Sequence, residues 1–433
     1  MENESTVKVE HYFLILSLVF GLILAISFPP FHFPDEGTYI LKAYDVSNGN
    51  IIPKSTQLTA PKNLQTIKNN HPINSDGSVD IDMSDQSIMS YPPLPYLANA
   101  LIIKIGEFFN LSALVTMYVC RIINLLIYTA VTYFAVKKIP ILKYALLLIA
   151  LMPTTLYQAA AVSGDSLTMT LSFLVIALFL NLSLNKNKIT KRDVFILSAS
   201  TLALSLTKPS YALIALLFFI IPRNKFKNIT SQIKTFLYTC LAPLSILIIW
   251  NSAFKHLYPV LNSGFNSYLQ VNTYNITFVS SHPLNFLDLL INTTAYKGAE
   301  LLSTFVVGFG NSGDNVPLFL IYIYLIVLLL TSVYGVSDLR VNLKQKIIGF
   351  IHFLIVSLTL CVAELITWTP LGSDVIWGLQ GRYFIPIAPL LLLVFNSSRT
   401  TSFKKFYKKF HLCVILFIIS FYITITLYSV MKN

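Results

Sequence analysis

Apolar runs of membrane-crossing length recur along this chain, and charge is confined largely to the segments between them. A helix needs about 20 mostly apolar residues to cross roughly 30 Å of hydrocarbon, where no water is present to satisfy backbone N–H and C=O groups. Eleven runs meet or approach that length, at 11–28, 112–136, 139–158, 166–184, 194–207, 210–222, 235–253, 316–334, 347–367, 384–396 and 411–430. Those at 194–207, 210–222 and 384–396 are short, so tilted, broken or re-entrant elements are expected there. With 55% of residues apolar and 12% charged, a soluble domain with a polar exterior is excluded. The expectation is an all-α polytopic membrane protein with about eleven transmembrane helices, forming a single integral membrane domain over 1–433. The first run has no basic leader and no small-residue cleavage site, and reads as a retained helix.

A net charge of +12 would suit a nucleic-acid partner only if the basic residues shared a face. They do not. With the N-terminus placed in the cytoplasm, Lys137, Lys138 and Lys143 and the segments 186–193, 223–234, 337–346 and 397–409 fall inside and carry 19 of the 31 Lys and Arg residues. The opposite side then carries 14 of the 19 carboxylates, among them Asp35, Glu36, Asp165, Asp288, Glu300, Asp314, Glu364 and Asp374. That asymmetry is the positive-inside signature, and the basic segments become topology signals that touch anionic lipid rather than nucleic acid. Cys120, Cys240, Cys361 and Cys413 all fall in apolar runs without paired spacing and read as core residues. The histidines show no metal-ligand spacing.

Two segments on the acidic, extracytoplasmic side are long. Residues 29–111 hold a polar stretch, then Tyr91-Pro92-Pro93-Leu94-Pro95-Tyr96 and an amphipathic run to Asn110, which predicts an interfacial helix. Residues 254–315 end in another interfacial candidate, Leu284 to Phe305. Gly308-Phe309-Gly310-Asn311-Ser312-Gly313 matches G-x-G-x-x-G formally, but no strand precedes it, and it reads as a turn.

The chemistry is expected at Phe33-Pro34-Asp35-Glu36, where adjacent carboxylates follow the first run. Arg121 lies inside the second run, where a bare guanidinium would be costly, and a structural ion pair or a snorkelling side chain is the leading reading. Asp165, in Ser163-Gly164-Asp165-Ser166, either accepts hydrogen bonds from a sugar or caps the next helix. Lys208 sits at a proline break, Thr207-Lys208-Pro209-Ser210-Tyr211, where an ammonium meets a phosphate. In Gln380-Gly381-Arg382-Tyr383, glycine permits close backbone approach and Arg382 offers a fork for two phosphate oxygens, or else an interfacial anchor with Tyr383 in the aromatic belt. An extracytoplasmic transferase has no nucleotide sugar at hand, so a lipid-linked sugar phosphate is the fitting donor. Asp35 would then take the acceptor proton while Lys208 and Arg382 stabilise the leaving phosphate.

Pro34-Asp35-Glu36, Tyr91-Pro92-Pro93 with Tyr96, Met152-Pro153 through Gln158, Ser163 to Asp165, Lys208 with Tyr211, and Gln380-Gly381-Arg382-Tyr383 together resemble the ordered signatures of a bacterial polytopic family catalogued as a domain of unknown function. That family is similar to the GT-C superfamily of membrane glycosyltransferases, and the layout resembles the serotype-converting glucosyltransferases that decorate O-antigen in lipopolysaccharide. The resemblance implies a GT-C-like architecture in the bacterial inner membrane, a polyprenyl-phosphate-sugar donor, glucose as the sugar and a surface polysaccharide as acceptor. It implies Asp35 as base with Glu36 beside it, and Tyr91, Asp165, Tyr211, Gln380 and Tyr383 as substrate-binding residues. The chain departs from the pattern at Tyr39, where the family often has histidine. No cofactor is required, although Asp35 with Glu36 could hold magnesium or manganese. An O-antigen polymerase and a transporter or flippase for a lipid-linked glycan are the competing readings.

Overall fold

The computed structural model describes residues 8–51, 91–185, 187–254, 273–309, 316–334, 339–397 and 407–432. Regular structure among them is helical, apart from one isolated bridge between Thr273 and Pro370. In chain order the helices are α1 (Val9–Ser27), α2 (Glu36–Ser47), α3 (Leu97–Phe108), α4 (Ala113–Lys138), α5 (Lys143–Ala150), α6 (Pro153–Ala159), α7 (Gly164–Leu184) and α8 (Lys191–Ser205). A 3-10 helix follows at Pro209–Ile220, then α9 (Ile229–Phe236), which runs through a π turn at Leu237–Leu241 into α10 (Ala242–Phe254). The remainder comprises α11 (Ile276–Ser281), α12 (Pro283–Val306), α13 (Leu318–Val333), α14 (Leu343–Thr367), a 3-10 turn Gly381–Ile387 leading into α15 (Ala388–Phe395), and α16 (Tyr407–Lys432).

Every apolar run is helical, but the eleven are not equivalent. Five helices among the described residues are long and apolar enough to cross a membrane: Val9–Ser27, Ala113–Lys138, Gly164–Leu184, Ile229–Trp250 and Leu343–Thr367. The run 139–158 is not one helix. It breaks between Ala150 and Pro153, because proline opens a new helix and cannot continue the old one, and α6 and all of α5 except Lys143 are buried in the interior. The run 210–222 winds as a 3-10 helix of 12 residues. At about 2.0 Å rise per residue it reaches about 24 Å, where an α-helix of equal length reaches about 18 Å. Both expected interfacial segments contain helix, in α3 and α12; the G-x-G-x-x-G stretch lies outside the described residues from Gly310 onward.

One buried apolar cluster reaches from Val9 to Ile425. Within it α4 packs between α1 and α7, where the Thr132 and Thr170 hydroxyls lie 2.6 Å apart, and Tyr128 Oη reaches from α4 to donate to the Ala150 carbonyl on α5 at 2.7 Å. At one end, basic side chains tie off chain segments. Lys143 Nζ pairs with Glu10 at 3.4 Å, and Lys346 Nζ donates to the Val394 and Asn396 carbonyls at the end of α15, where the helix dipole favours a cation. Of the four cysteines, Cys120, Cys240 and Cys361 are buried as expected, while Cys413 is exposed on α16.

Among the described glycines, Gly381 leaves the least room for a side chain. A Cβ there would overlap the Leu301 carbonyl oxygen and the Phe305 backbone nitrogen on α12, neither of which can rotate away. The glycine that the sequence offered for close approach therefore serves helix packing. Gly381→Ala is expected to lower the unfolding temperature of the purified protein sharply, an overpacking effect of at least about 1–3 kcal/mol; an unchanged temperature would refute it.

Lys42 on α2 is buried, and desolvation pulls its ammonium down from 10.5 to about 8, with Asp45 resisting. Between those two values the unfolded chain retains a proton that the folded chain has released, so stability should rise with pH from about 8 to 10.5. Thermal unfolding across that window should show the rise in wild type and a flatter profile in Lys42→Met.

Candidate functional site

The turn that ends α1 is held by Arg121, one helix away. Arg121 is completely buried, and all five of its N–H donors are used. Nη1 donates to the carbonyls of Ala25 (3.0 Å) and Phe28 (2.7 Å), and Nη2 to the Pro29 carbonyl (2.8 Å). Nε and Nη2 form a two-pronged pair with Glu36 Oε1 and Oε2, both at 2.7 Å. Glu36 is saturated in turn, since Oε1 also accepts from Val162 N (3.2 Å) and Oε2 from Phe31 N (3.0 Å). The Phe33 ring lies 4.5 Å from the guanidinium carbon. One pair thus binds the end of α1, the start of α2, the middle of α4 and the chain just before α7.

Within that frame Asp35 adopts φ 60°, a left-handed conformation uncommon for a residue with a side chain. It precedes α2 and turns its carboxylate away from Glu36, toward Arg382, whose Nη2 donates to Oδ2 at 2.9 Å. Ser163 N-caps α7, its Oγ accepting from Asp165 N at 3.1 Å. The cap is therefore the serine, and Asp165 is free to form an ion pair with Lys208 and to approach Arg382 Nε at 3.7 Å, beyond hydrogen-bond range. Residues 35, 165, 208 and 382, spread over nearly the whole chain, meet as two carboxylates and two cations. Asp35 is the most open of the four, with its side chain 28% exposed against 10% for Asp165, 14% for Lys208 and 5% for Arg382.

Aromatic side chains wall this cluster. Lys208 Nζ stands 5.6 Å from the Tyr91 ring centroid and 5.2 Å from that of Tyr383, within cation–π range. Tyr211 Oη donates to the Tyr383 carbonyl at 2.7 Å, which ties the long 3-10 helix to the one carrying Arg382. Gln380 enters through its backbone carbonyl, which accepts from Tyr383 N. Tyr39, at the departure from the family pattern, stacks on Tyr96 with centroids 5.9 Å apart. Burial pushes the hydroxyls of Tyr39, Tyr91 and Tyr96 up, against the pull of Lys208, so all three stay protonated and neutral. The interfacial-anchor reading of Arg382 is overturned, because Arg382 is buried and ion-paired.

Four further residues had no site role assigned from the sequence. Glu364 reaches the cluster from α14 and interacts electrostatically with Lys208, Arg382, Asp35 and Asp165. Gly378 makes room for it: at φ +75° and with a hypothetical Cβ 2.5 Å from Glu364 Oε2, that position suits only glycine. Gln158 and Tyr96 also belong here, since Gln158 Oε1 accepts from Ser163 Oγ at 3.2 Å and Tyr96 Oη lies 3.2 Å from where a Gly164 Cβ would be. Ionisable or amide groups interrupting apolar runs, as Glu364 and Gln158 do, are the signal that marks such residues. Several buried atoms of this group have no hydrogen-bond partner among the described residues: Arg382 Nε and Nη1, Gln158 Nε2, Tyr96 Oη, Asp165 Oδ2 and Glu364 Oε2. Each such orphan costs about 1–3 kcal/mol if it stays unmatched.

The donor set does not fit a divalent metal at Asp35 and Glu36. Their carboxylates face different guanidinium groups, Glu36 has no free acceptor direction, and no three His, Cys, Asp or Glu side chains converge among the described residues.

A family model described as a predicted membrane protein, DUF2142, matches residues 18–392. The chain belongs to the DUF2142 family. Neither the curated proteins nor the solved structures hold a match to it. The DUF2142 match encloses Asp35, Glu36, Tyr91, Arg121, Asp165, Lys208, Glu364 and Arg382, so the whole cluster lies within the family's shared region. The family description supports a membrane protein and carries no activity.

For this DUF2142 protein the frame itself is testable. Arg121→Lys keeps the charge but offers three donors in place of five and loses the planar fork. It should destabilise the protein by about 3–5 kcal/mol, the usual cost of breaking a buried pair. Thermal unfolding of the purified variant checks this, and wild-type stability would refute the assigned role.

Proposed function

We propose that the protein is a glycosyltransferase that moves a hexosyl group, with glucose as first candidate, from a polyprenyl-phosphate donor to a surface polysaccharide such as O-antigen. The reaction is assigned to the extracytoplasmic face of a bacterial inner membrane, with the basic end of the bundle in the cytoplasm. The observation that carries this reading is the chain of charge contacts that runs from Asp35 through Arg382 and Asp165 to Lys208, with Asp35 the most accessible of the four.

In the proposed step, a hydroxyl of the acceptor attacks the anomeric carbon of the donor sugar. Its proton passes to an Asp35 Oδ, the new glycosidic bond forms, and the bond between the anomeric carbon and the phosphate oxygen breaks. The bonding pair leaves with polyprenyl phosphate, whose charge is taken up by Arg382 and Lys208. Arg382 and Lys208 are paired with Asp35 and Asp165, so the phosphate would replace internal counter-ions rather than enter a bare positive pocket. Tyr91 and Tyr383 offer ring faces beside the cations, suited to the apolar face of a sugar. Glu36 takes a supporting role in this scheme, through Arg121, and the step needs no metal.

The deciding experiment is transfer of labelled sugar from a synthetic polyprenyl-phosphate-glucose to lipid-linked O-antigen by purified protein. Wild type should transfer, and Asp35→Asn should lose at least about 10²-fold, the usual lower range for a general base. Retained transfer in folded Asp35→Asn would refute the base assignment. No transfer by folded wild type would favour the polymerase or the transporter, which a collapsed O-antigen ladder on gene loss and uptake into vesicles without a glycosyl product would respectively reveal.

A further inference from the structure

The buried polar atoms without partners are more numerous around the Ser163–Asp165 turn than phosphate binding explains. We infer that they form the subsite for the hexosyl group of the donor, with Tyr96, Gln158 and Glu364 as sugar-binding residues beside Asp165 and Arg382. The inference rests on the transferase reading and adds to it the part of the substrate that these residues recognise.

The argument is one of matching donors to acceptors. Among the described residues, the donors without a hydrogen bond are Arg382 Nε and Nη1 and Gln158 Nε2, and the acceptors are Asp165 Oδ2 and Glu364 Oε2, with Tyr96 Oη able to do either; Arg382 Nε and Asp165 Oδ2 face each other as an ion pair at 3.7 Å, too far apart for a hydrogen bond. A phosphate diester offers only acceptors, so it would satisfy the guanidinium and the amide and leave two carboxylate oxygens facing more negative charge. A polyprenyl tail would satisfy none. A sugar hydroxyl donates once and accepts as well, so a polyol matches both halves of the set.

These atoms also belong together. Gln158 is joined to Ser163 by its other amide atom, Ser163 caps the helix on which Asp165 stands, and Asp165 approaches Arg382. Tyr96 Oη lies against Gly164, between those residues, where any larger side chain would crowd the hydroxyl. Glu364 faces the same charges from α14, with Gly378 leaving its Oε2 room. Gln158 and Tyr96 are each 1% exposed, Arg382 6% and Asp165 7%, so water at the surface does not reach them freely. Buried polar atoms in a folded protein are almost always matched, and a binding site is a physical reason for a cluster that is not.

The test compares two lipids on full-length protein in nanodiscs: a polyprenyl-phosphohexose and the bare polyprenyl phosphate. Wild type should prefer the sugar-bearing lipid. Tyr96→Phe and Glu364→Gln should each lose about three- to tenfold of that preference, the range expected for one hydrogen bond, and Tyr96→Phe, which removes no charge, should leave bare-lipid affinity unchanged. Tyr96→Phe should not lower the unfolding temperature of the lipid-free protein, because the hydroxyl removed has no hydrogen-bond partner among the described residues. Equal affinity of wild type for the two lipids, or an unchanged preference in both variants, overturns the subsite while leaving the donor reading intact. Weaker binding of both lipids together with a lowered unfolding temperature marks a structural role and also overturns it. Failure of folded wild type to bind either lipid overturns the donor reading, and the subsite with it.

Discussion

The site depends on a buried ion pair that takes no direct part in it. Arg121 and Glu36 are saturated with hydrogen bonds, and their partners are the carbonyls that end one helix and the amides that begin the next two segments. Two desolvated charges are tolerable in a helix bundle only when geometry is this complete, because any missing contact leaves an uncompensated charge. The same completeness fixes the path of the chain from Ala25 to Glu36. Asp35 is carried on that path in a left-handed conformation, so its direction is set by the strut behind it. Val162 extends the constraint to the helix that bears Asp165.

A second consequence is that neighbouring carboxylates acquire opposite characters. Asp35 and Glu36 are adjacent in sequence, yet one is part-exposed beside Arg382 and the other is sealed in the interior. A left-handed residue at the start of a helix turns successive side chains to different sides, which separates a supporting group from a reactive one without any intervening residue.

Much of the architecture was legible because hydrophobic length is a local property. All eleven apolar runs are helical, and the proline break at Pro209 marks where the winding changes, whereas Pro153 divides the run 139–158 that the sequence offers as one piece. What was not legible was whether an apolar run faces lipid or protein: the segment from Tyr144 to Ala150 reads like a span and is wholly interior, since burial on all sides looks the same from either solvent. Asp35, Lys208 and Arg382 were visible as charges at helix ends, and they do meet. The pairing of Arg121 with Glu36 was not visible, because it joins residues 85 positions apart. The preference for Ser163 over Asp165 as helix cap depended on one rotamer. Glu364 stood in view as a carboxylate within an apolar run, but only its neighbours in space connect it to the cluster.

The long 3-10 helix after Lys208 makes the position of that ammonium a matter of winding. Twelve residues stretched at about 2.0 Å each would shorten by about 6 Å if rewound as α-helix, with the sequence unchanged. The element therefore works as a ruler whose length is set by which carbonyl each amide chooses. Tyr211, bonded to the Tyr383 carbonyl near its head, holds that ruler at the reading that keeps Lys208 level with Asp165.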